Sequence, residues 1–331
     1  MIKRREWMKA AGFATLSLGT VRSVKAQPVP KLLKIINGFP PGGVVDAVAR
    51  RVAEGLAVTE PGVNVIVDNR VGAGRRIAVS AVKAAVDDGS TLLFTPDAVL
   101  SLYPFVYSKL DYDPFADLAP VATVATTTDA LALGPLVPPS VRGLRDFLAW
   151  AKEHPEHASF GSPGTGTPLH LLGALVAKEA GVYLRHVAYR GAAPGVTDLI
   201  GGQIACMAAP TGTFLSFQKA GKLRIIATSG PQRTPFTPDT PTFAEQKFGA
   251  DYPAGDQWLG FFAPSGVSPQ TVSRLHQMVA EAVNRKAVAE ALASLGLVAH
   301  SLTPQAMASS LRKQHEKWWE VVRRVGFTAE S

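Results

Sequence analysis

The chain has 331 residues, 47% of them apolar and 18% charged, which excludes a disordered or fibrous protein and leaves room for about two domains of roughly 150 residues. Of the net charge of +8, Lys3, Arg4, Arg5, Lys9, Arg22 and Lys25 against Glu6 supply +5, leaving +3 on the remainder with no basic run interleaved with aromatics, so nucleic acid is not expected as a partner. The single cysteine, Cys206, excludes an intramolecular disulfide, and beyond the N-terminus no apolar run reaches the roughly 18 residues of a transmembrane helix.

Residues 1–26 read as a cleaved export signal that sends the mature protein to the periplasm. Lys3, Arg4, Arg5 and Lys9 make a basic start, Ala10 to Val21 a short uncharged apolar core, and Val24-Lys25-Ala26 a cleavage site before Gln27. The run Arg4-Arg5-Glu6-Trp7-Met8-Lys9 resembles a twin-arginine signal; a general secretory signal with incidental arginines is the alternative. No cysteine follows the signal to carry a lipid there.

Strand-like and helix-like segments then alternate, the pattern of an α/β protein. Strand 32–36 leads through Asn37-Gly-Phe-Pro-Pro-Gly-Gly43 to a helix over 44–57. Strand 63–67 leads through Asn69-Arg-Val-Gly-Ala-Gly74 to helix 77–86, and strand 91–94 through Thr95-Pro-Asp97 to a short helix. Strands follow at 119–124 and 130–133. A second set begins with helix 144–154 and strand 159–160, then Gly161-Ser-Pro-Gly-Thr-Gly-Thr-Pro168 and helix 169–180. Strand 186–188 ends at Tyr189-Arg-Gly191 before helix 194–200. Strand 204–208, helix 213–220 and strand 224–228 complete the set. Pro231 to Pro241 reads as a linker back to the first lobe. One helix is expected over 269–295, with Ser268 as N-cap and Gly296 as its stop, then strand 297–301 and a last helix from Thr303-Pro304 through Trp318 and Trp319, both expected to pack in the core.

Several loops thus follow a strand end, carry glycine and open a helix, which is where parallel sheets bind ligands. The first is the most informative. Its prolines remove two donors, its glycines allow close backbone approach, and the helix start beyond them offers free N–H groups and a positive dipole end to a carboxylate or phosphate. Asp46, in the first turn, either caps that turn or contacts a ligand. Gly161 to Thr167 lacks the lysine of a phosphate-binding P-loop and the third glycine of a dinucleotide fingerprint; it is either a small-carboxylate cradle or a plain loop with an N-cap. Arg190 either pairs with an acid or stays solvated. The histidines do not cluster in sequence, so no metal site is expected, and no Gly-x-Ser-x-Gly elbow marks a serine hydrolase. Cys206, within an apolar run, reads as a buried inert thiol.

Taken in order, the segments Phe39-Pro-Pro-Gly-Gly43 with Asp46 and Ala49-Arg50, Asp68-Asn-Arg-Val-Gly-Ala-Gly74, Asp88-Gly-Ser-Thr-Leu-Leu93, Gly161-Ser-Pro-Gly-Thr-Gly166, Tyr189-Arg-Gly-Ala-Ala-Pro194, Thr197-Asp-Leu-Ile-Gly-Gly-Gln203, Ala220-Gly-Lys-Leu-Arg224, Pro238-Asp-Thr-Pro-Thr-Phe-Ala-Glu245 and Trp258-Leu-Gly-Phe-Phe-Ala-Pro264 resemble the Bug family, the periplasmic solute-binding proteins of tripartite tricarboxylate transporters. The resemblance implies an α/β type II periplasmic-binding-protein fold, two lobes about a ligand cleft with a hinge of crossover strands. The lobes are expected at 27–126 with 232–331, and at 127–231. It implies a monomeric binding protein, not an enzyme, without cofactor or metal, that delivers a small organic acid or amino-acid-like ligand to membrane permease subunits. A ligand-sensing subunit signalling to a membrane sensor kinase is the alternative, and an exported hydrolase a distant third. Ligand-binding positions carried over are Phe39, Gly42, Gly43, Val44, Val45 and Asp46 from the first lobe, and Ser162, Gly164, Thr165, Gly166, Tyr189 and Gly191 from the second. Three departures stand out: Val45 where Ser or Thr is usual, Arg75-Arg76 where another Gly is usual, and Ala78 in place of a Gly. The first removes a hydroxyl from the cradle.

Overall fold

The computed structural model describes residues 30–249, 252–253 and 257–327; the export signal expected over 1–26 lies outside them. In chain order the elements are β1 (Leu32–Asn37), α1 (Val44–Thr59), β2 (Asn64–Asn69), α2 (Arg76–Lys83), β3 (Thr91–Pro96), α3 (Ala98–Ser101), α4 (Tyr103–Val106), β4 (Leu118–Thr126), β5 (Asp129–Leu133), α5 (Leu144–Glu153), β6 (Ser159–Ser162), α6 (Pro168–Ala180), β7 (Arg185–Ala188), α7 (Ala192–Ile200), β8 (Cys206–Pro210), α8 (Leu215–Lys219), β9 (Arg224–Thr228), β10 (Trp258–Pro264), α9 (Pro269–Asn284), α10 (Lys286–Ser294), β11 (Val298–Ala299) and α11 (Pro304–Val325).

They build two sheets. One runs β11-β4-β10-β3-β1-β2 and the other β7-β6-β8-β5-β9. β1 lies parallel between β2 and β3, while β10 runs antiparallel between β3 and β4. In the second sheet β6 is parallel to β7 and β8, and β5 is antiparallel to β8 and β9. These sheets, with helices on their faces, are the two lobes expected of the fold. The chain crosses first at Thr127-Thr128, between β4 and β5. Thr127 donates to Gln257 O at 3.0 Å, so the outgoing and returning segments touch at the hinge.

The return is later than residue 232. Thr228 donates to Pro241 O at 3.2 Å and Phe243 to Thr228 O at 2.9 Å. Gln246 accepts from the Leu144 amide and donates to Ile226 O. Thr242 and Phe243 are buried, so residues 241–249 stay on the second sheet, and first-sheet pairing resumes at Trp258. Pro231 to Pro241 has the composition of a linker, but the buried pair immediately after it anchors the chain to the second lobe.

Helix α1 buries Val48, Ala49, Val52, Ala53 and Leu56, a stripe at helical spacing against the first sheet. The single helix expected over 269–295 is two helices: Arg285 takes an extended ψ of 133° between α9 and α10. The bend packs Val288 beside Gly55 of α1, where a β-carbon would sit 2.9 Å from Val288 Cγ2. Neither Gly nor Pro stands at 285 to announce it. On α11 Trp318 is fully buried, whereas Trp319 is 49% exposed, correcting the expectation that both enter the core. Neighbours on a helix face about 100° apart and cannot share one side. Buried Trp318, Val79 and Leu93 share one apolar cluster with Leu131, Phe147 and Leu172 of the other lobe, so the lobes are joined by packing as well as by the hinge. Cys206 is fully buried, its thiol held in the protonated form by burial.

Candidate functional site

The turn after β1 is held from behind. Asp46 is 2% exposed, and its carboxylate accepts from the Gly42 amide at 3.0 Å, from Arg50 at 2.9 and 3.1 Å, and from Asn69 Nδ2 at 2.8 Å. Burial works to raise its pKa, but bonds from Arg50, Gly42 and Asn69 together outweigh it and hold the carboxyl below the ordinary range. Asn69 also donates to Phe39 O, and Asn37 Oδ1 takes the Phe39 amide. The two separated segments around Phe39 and Asn69 are therefore halves of one brace. Within it Gly42 takes φ of 82°, a left-handed value that favours glycine.

Gly43 is the N-cap of α1 and lends no side-chain cap. The first amide bonded back along the helix is Ala47 N–H to Gly43 O at 2.9 Å. Val44, Val45 and Asp46 amides thus lead a 16-residue helix without acceptors among the described residues, and Gly42, Gly43, Val44 and Val45 line a cleft between the lobes. The opposite wall has a similar opening. Gly191, at φ 103°, caps α7 without a side-chain bond, and Gly191, Ala192 and Ala193 line the same cleft.

The cleft encloses about 640 Å³ and its walls are mostly apolar. Of the residues expected at the site, Phe39, Gly42, Gly43, Val44, Val45 and Gly191 line it; Asp46, Ser162, Gly164, Thr165, Gly166 and Tyr189 do not. Of the latter set, Ser162, Gly164, Gly166 and Tyr189 are bonded within the second lobe, Thr165 is exposed, and Asp46 is held in its brace. Thr167 caps α6 by accepting from the His170 amide and donates to Gly164 O at 2.7 Å. Ser162 Oγ lies 3.1 Å from Gly164 O and 2.8 Å from His186 Nε2. Tyr189 donates to Asp198 at 2.8 Å; burial and that carboxylate push its phenol up to about 12. From this loop Pro163, Thr167 and Pro168 do reach the cleft.

Folding brings two histidines together that are distant in sequence. The rings of His170 and His186 stack at 4.0 Å, and burial lowers both pKa values to about 4, so both are neutral at neutral pH. Ser162 and His186 are at nucleophile–base distance, yet Ser162 is fully buried and away from the cleft, and no described carboxylate orients the ring. Among the described residues no group of His, Cys, Asp and Glu is arranged to hold a metal.

Sequence reasoning missed the hinge floor. Asp97 ends the β3 loop and Asp129 starts β5; both are buried and both line the cleft. Asp97 Oδ1 accepts from the Trp258 amide at 3.2 Å, while Oδ2 has no partner among the described residues. Burial, reinforced by the nearby Asp129 charge, pushes Asp97 up to about 8 against the pull of the Trp258 bond. Asp129 accepts from Tyr252, and its pKa is also raised by burial. The signal for Asp97 was present: Thr95-Pro-Asp97 lies past a strand end at the same sheet edge as the Gly42 turn.

The sequence profile described as tripartite tricarboxylate transporter family receptor matches residues 48–327. Protein BugT of Bordetella pertussis is 31% identical over 323 residues, covering 95% of this chain and 96% of that one. The periplasmic binding protein BugD superposes with a TM-score of 0.82 at 26% identity, covering 91% of this chain and all of its own. Rpa4515 of R. palustris, solved with adipate, superposes with a TM-score of 0.81 at 26% identity, over 90% and 98% of the two chains. The likeness runs through both lobes and nearly end to end, and the chain belongs to the tripartite tricarboxylate transporter receptor family.

Proposed function

We propose that this protein is exported to the periplasm, captures a small organic acid in the interlobe cleft and delivers it, as a monomer and without chemical change, to the permease subunits of a tripartite tricarboxylate-type transporter. The observation that carries this reading is the convergence of two uncapped helix starts on one cleft. Val44 and Val45, at the start of α1, line it from the first lobe, and Ala192 and Ala193, at the start of α7, from the second. Backbone donors and helix dipoles on both walls suit an anion that bridges the lobes and holds them closed. Asp46 is the brace of the first cradle, and Ser162 to Gly166 with Tyr189 shape the second from behind. Adipate in a structural relative agrees with a carboxylic acid in this one. The mostly apolar walls suit a hydrocarbon chain between polar ends. Signalling to a sensor kinase finds no support in a family defined by transport.

Mass spectrometry of the small molecule released on denaturing the purified protein tests the proposal, followed by calorimetry with that molecule. A carboxylic acid bound stoichiometrically is expected. A sugar, a cationic solute or a turned-over product would overturn it.

A further inference from the structure

Two adjacent arginines open α2, and the fold uses them differently. Arg76 is committed to the loop: Nε donates to Ala73 O at 2.9 Å, Nη1 to Lys109 O at 3.1 Å, and the guanidinium lies over Tyr107. Arg75 lines the cleft. Its guanidinium sits 4.4 Å above the Phe39 ring and donates to the Tyr103 hydroxyl at 2.9 Å, and no described carboxylate pairs with it. Both supports are cleft residues, and Tyr103 is 1% exposed, so the cation is pinned against the wall.

The backbone is shaped to put it there. Arg75 takes φ of 78° and ψ of −3°, left-handed values that L side chains rarely adopt. Gly38 makes room, since a β-carbon there would stand 2.9 Å from Arg75 Cβ. A strained, non-glycine cation held at a cleft wall, with no carboxylate partner among the described residues, suits an anionic ligand. One tyrosine bond uses a single N–H of a guanidinium that has five, leaving a fork for a carboxylate. Neither cleft acid pairs with it: Asp97 accepts from the Trp258 amide and Asp129 from the Tyr252 hydroxyl. Arg190, the other cation lining the cleft, is exposed and has no such supports.

We propose that Arg75 is the charge-selecting residue of the cleft, taking a second anionic group of a ligand whose first carboxylate sits at the α1 start, so that the protein prefers di- or tricarboxylates to monocarboxylates. This rests on the reading of the cleft as an organic-acid site. The wall between the two anchors, Phe39 and Val99 among it, faces the hydrocarbon part.

Calorimetry on the mature chain with succinate, adipate and citrate against butyrate and hexanoate tests it, in wild type, Arg75→Gln and Arg75→Gly. The glycine variant removes the charge and relieves the left-handed φ, so it keeps the fold; thermal unfolding verifies this. Loss of a charge-assisted fork is expected to weaken the best polycarboxylate about 10- to 100-fold and leave monocarboxylates unchanged. Equal weakening of both classes, or none in either variant, overturns the inference while leaving the organic-acid reading intact. A wild type that binds no acid of the panel overturns both.

Discussion

Asp97→Asn should change the pH dependence of stability by one proton. In the folded protein the Asp97 carboxyl is buried with its pKa raised to about 8; in the unfolded chain it returns to the ordinary value of 3.8. Between these values the folded state holds a proton that the unfolded state releases. Stability from this group is therefore fully present below about pH 4 and is lost as pH rises through about 8. One proton corresponds to about 1.4 kcal/mol per pH unit. Over the whole interval that approaches about 6 kcal/mol, and water entering the cleft that Asp97 lines relieves part of it, leaving about 2–4 kcal/mol. Asparagine mimics the protonated acid: its carbonyl can keep the Trp258 amide, and its NH₂ takes the place of the Oδ2 proton. Urea titrations from pH 4 to pH 9 should find the variant close to wild type at the acid end and more stable at the alkaline end. Parallel curves across that range would show that Asp97 is ionised in the folded protein and refute the burial argument. The same ionisation bears on binding. Above pH 8 an ionised Asp97 would repel an anion in the cleft, so affinity should decline in wild type and not in the variant.

Gly43→Leu should abolish ligand binding with little change in Tm, because a β-carbon there meets only Pro40 O at 3.5 Å and the added bulk has only the cleft to fill; unchanged affinity by calorimetry would make the turn purely structural. Gly212→Ala places a β-carbon 1.8 Å from Leu295 O, a backbone atom of the other lobe, so small-angle scattering should show a wider ligand-bound form and calorimetry a weaker one. A liganded radius of gyration equal to wild type would show that this contact is no part of closure. Asp46→Ala leaves the Gly42 amide and Asn69 without their acceptor and should cost about 2 kcal/mol in denaturant unfolding, discounted because Arg50 is half exposed. A variant as stable as wild type would show that the brace is dispensable.

Much of the fold was legible because its signals are local. Ser268 and Thr303-Pro304 mark helix starts at the positions where α9 and α11 begin. β9 spans the segment expected of it, Arg224–Thr228. What escaped was non-local. β10, buried at all seven positions at the centre of the first sheet, reads in sequence as an unpatterned apolar run with a glycine inside it. The bend at Arg285 is dictated by the surface of α1, and the late return of the chain by partners on β9 and α5, neither of which a window of sequence contains.

The site divides along the same line. Its glycine turns were visible because they must be glycine or proline to exist, as Gly42 and Gly191 show by their positive φ. Such turns, however, describe any anion cradle built from backbone, and amides at a helix start carry no information about the remainder of a ligand. That information lies in side chains the fold collects from several strand ends: Phe39 after β1, Arg75 before α2, Asp97 after β3, Asp129 across the hinge. In sequence Arg75 and Val45 are merely exceptions to a pattern. In space they are complementary exceptions on one cleft, a hydroxyl removed from the cradle and a pinned cation added on the wall beside it. On the proposed reading of the cleft, affinity for the first carboxylate rests on amides alone and the selective charge contact falls to Arg75. Exchanging both positions together, Val45→Thr with Arg75→Gly, should therefore shift preference toward monocarboxylates further than either change alone.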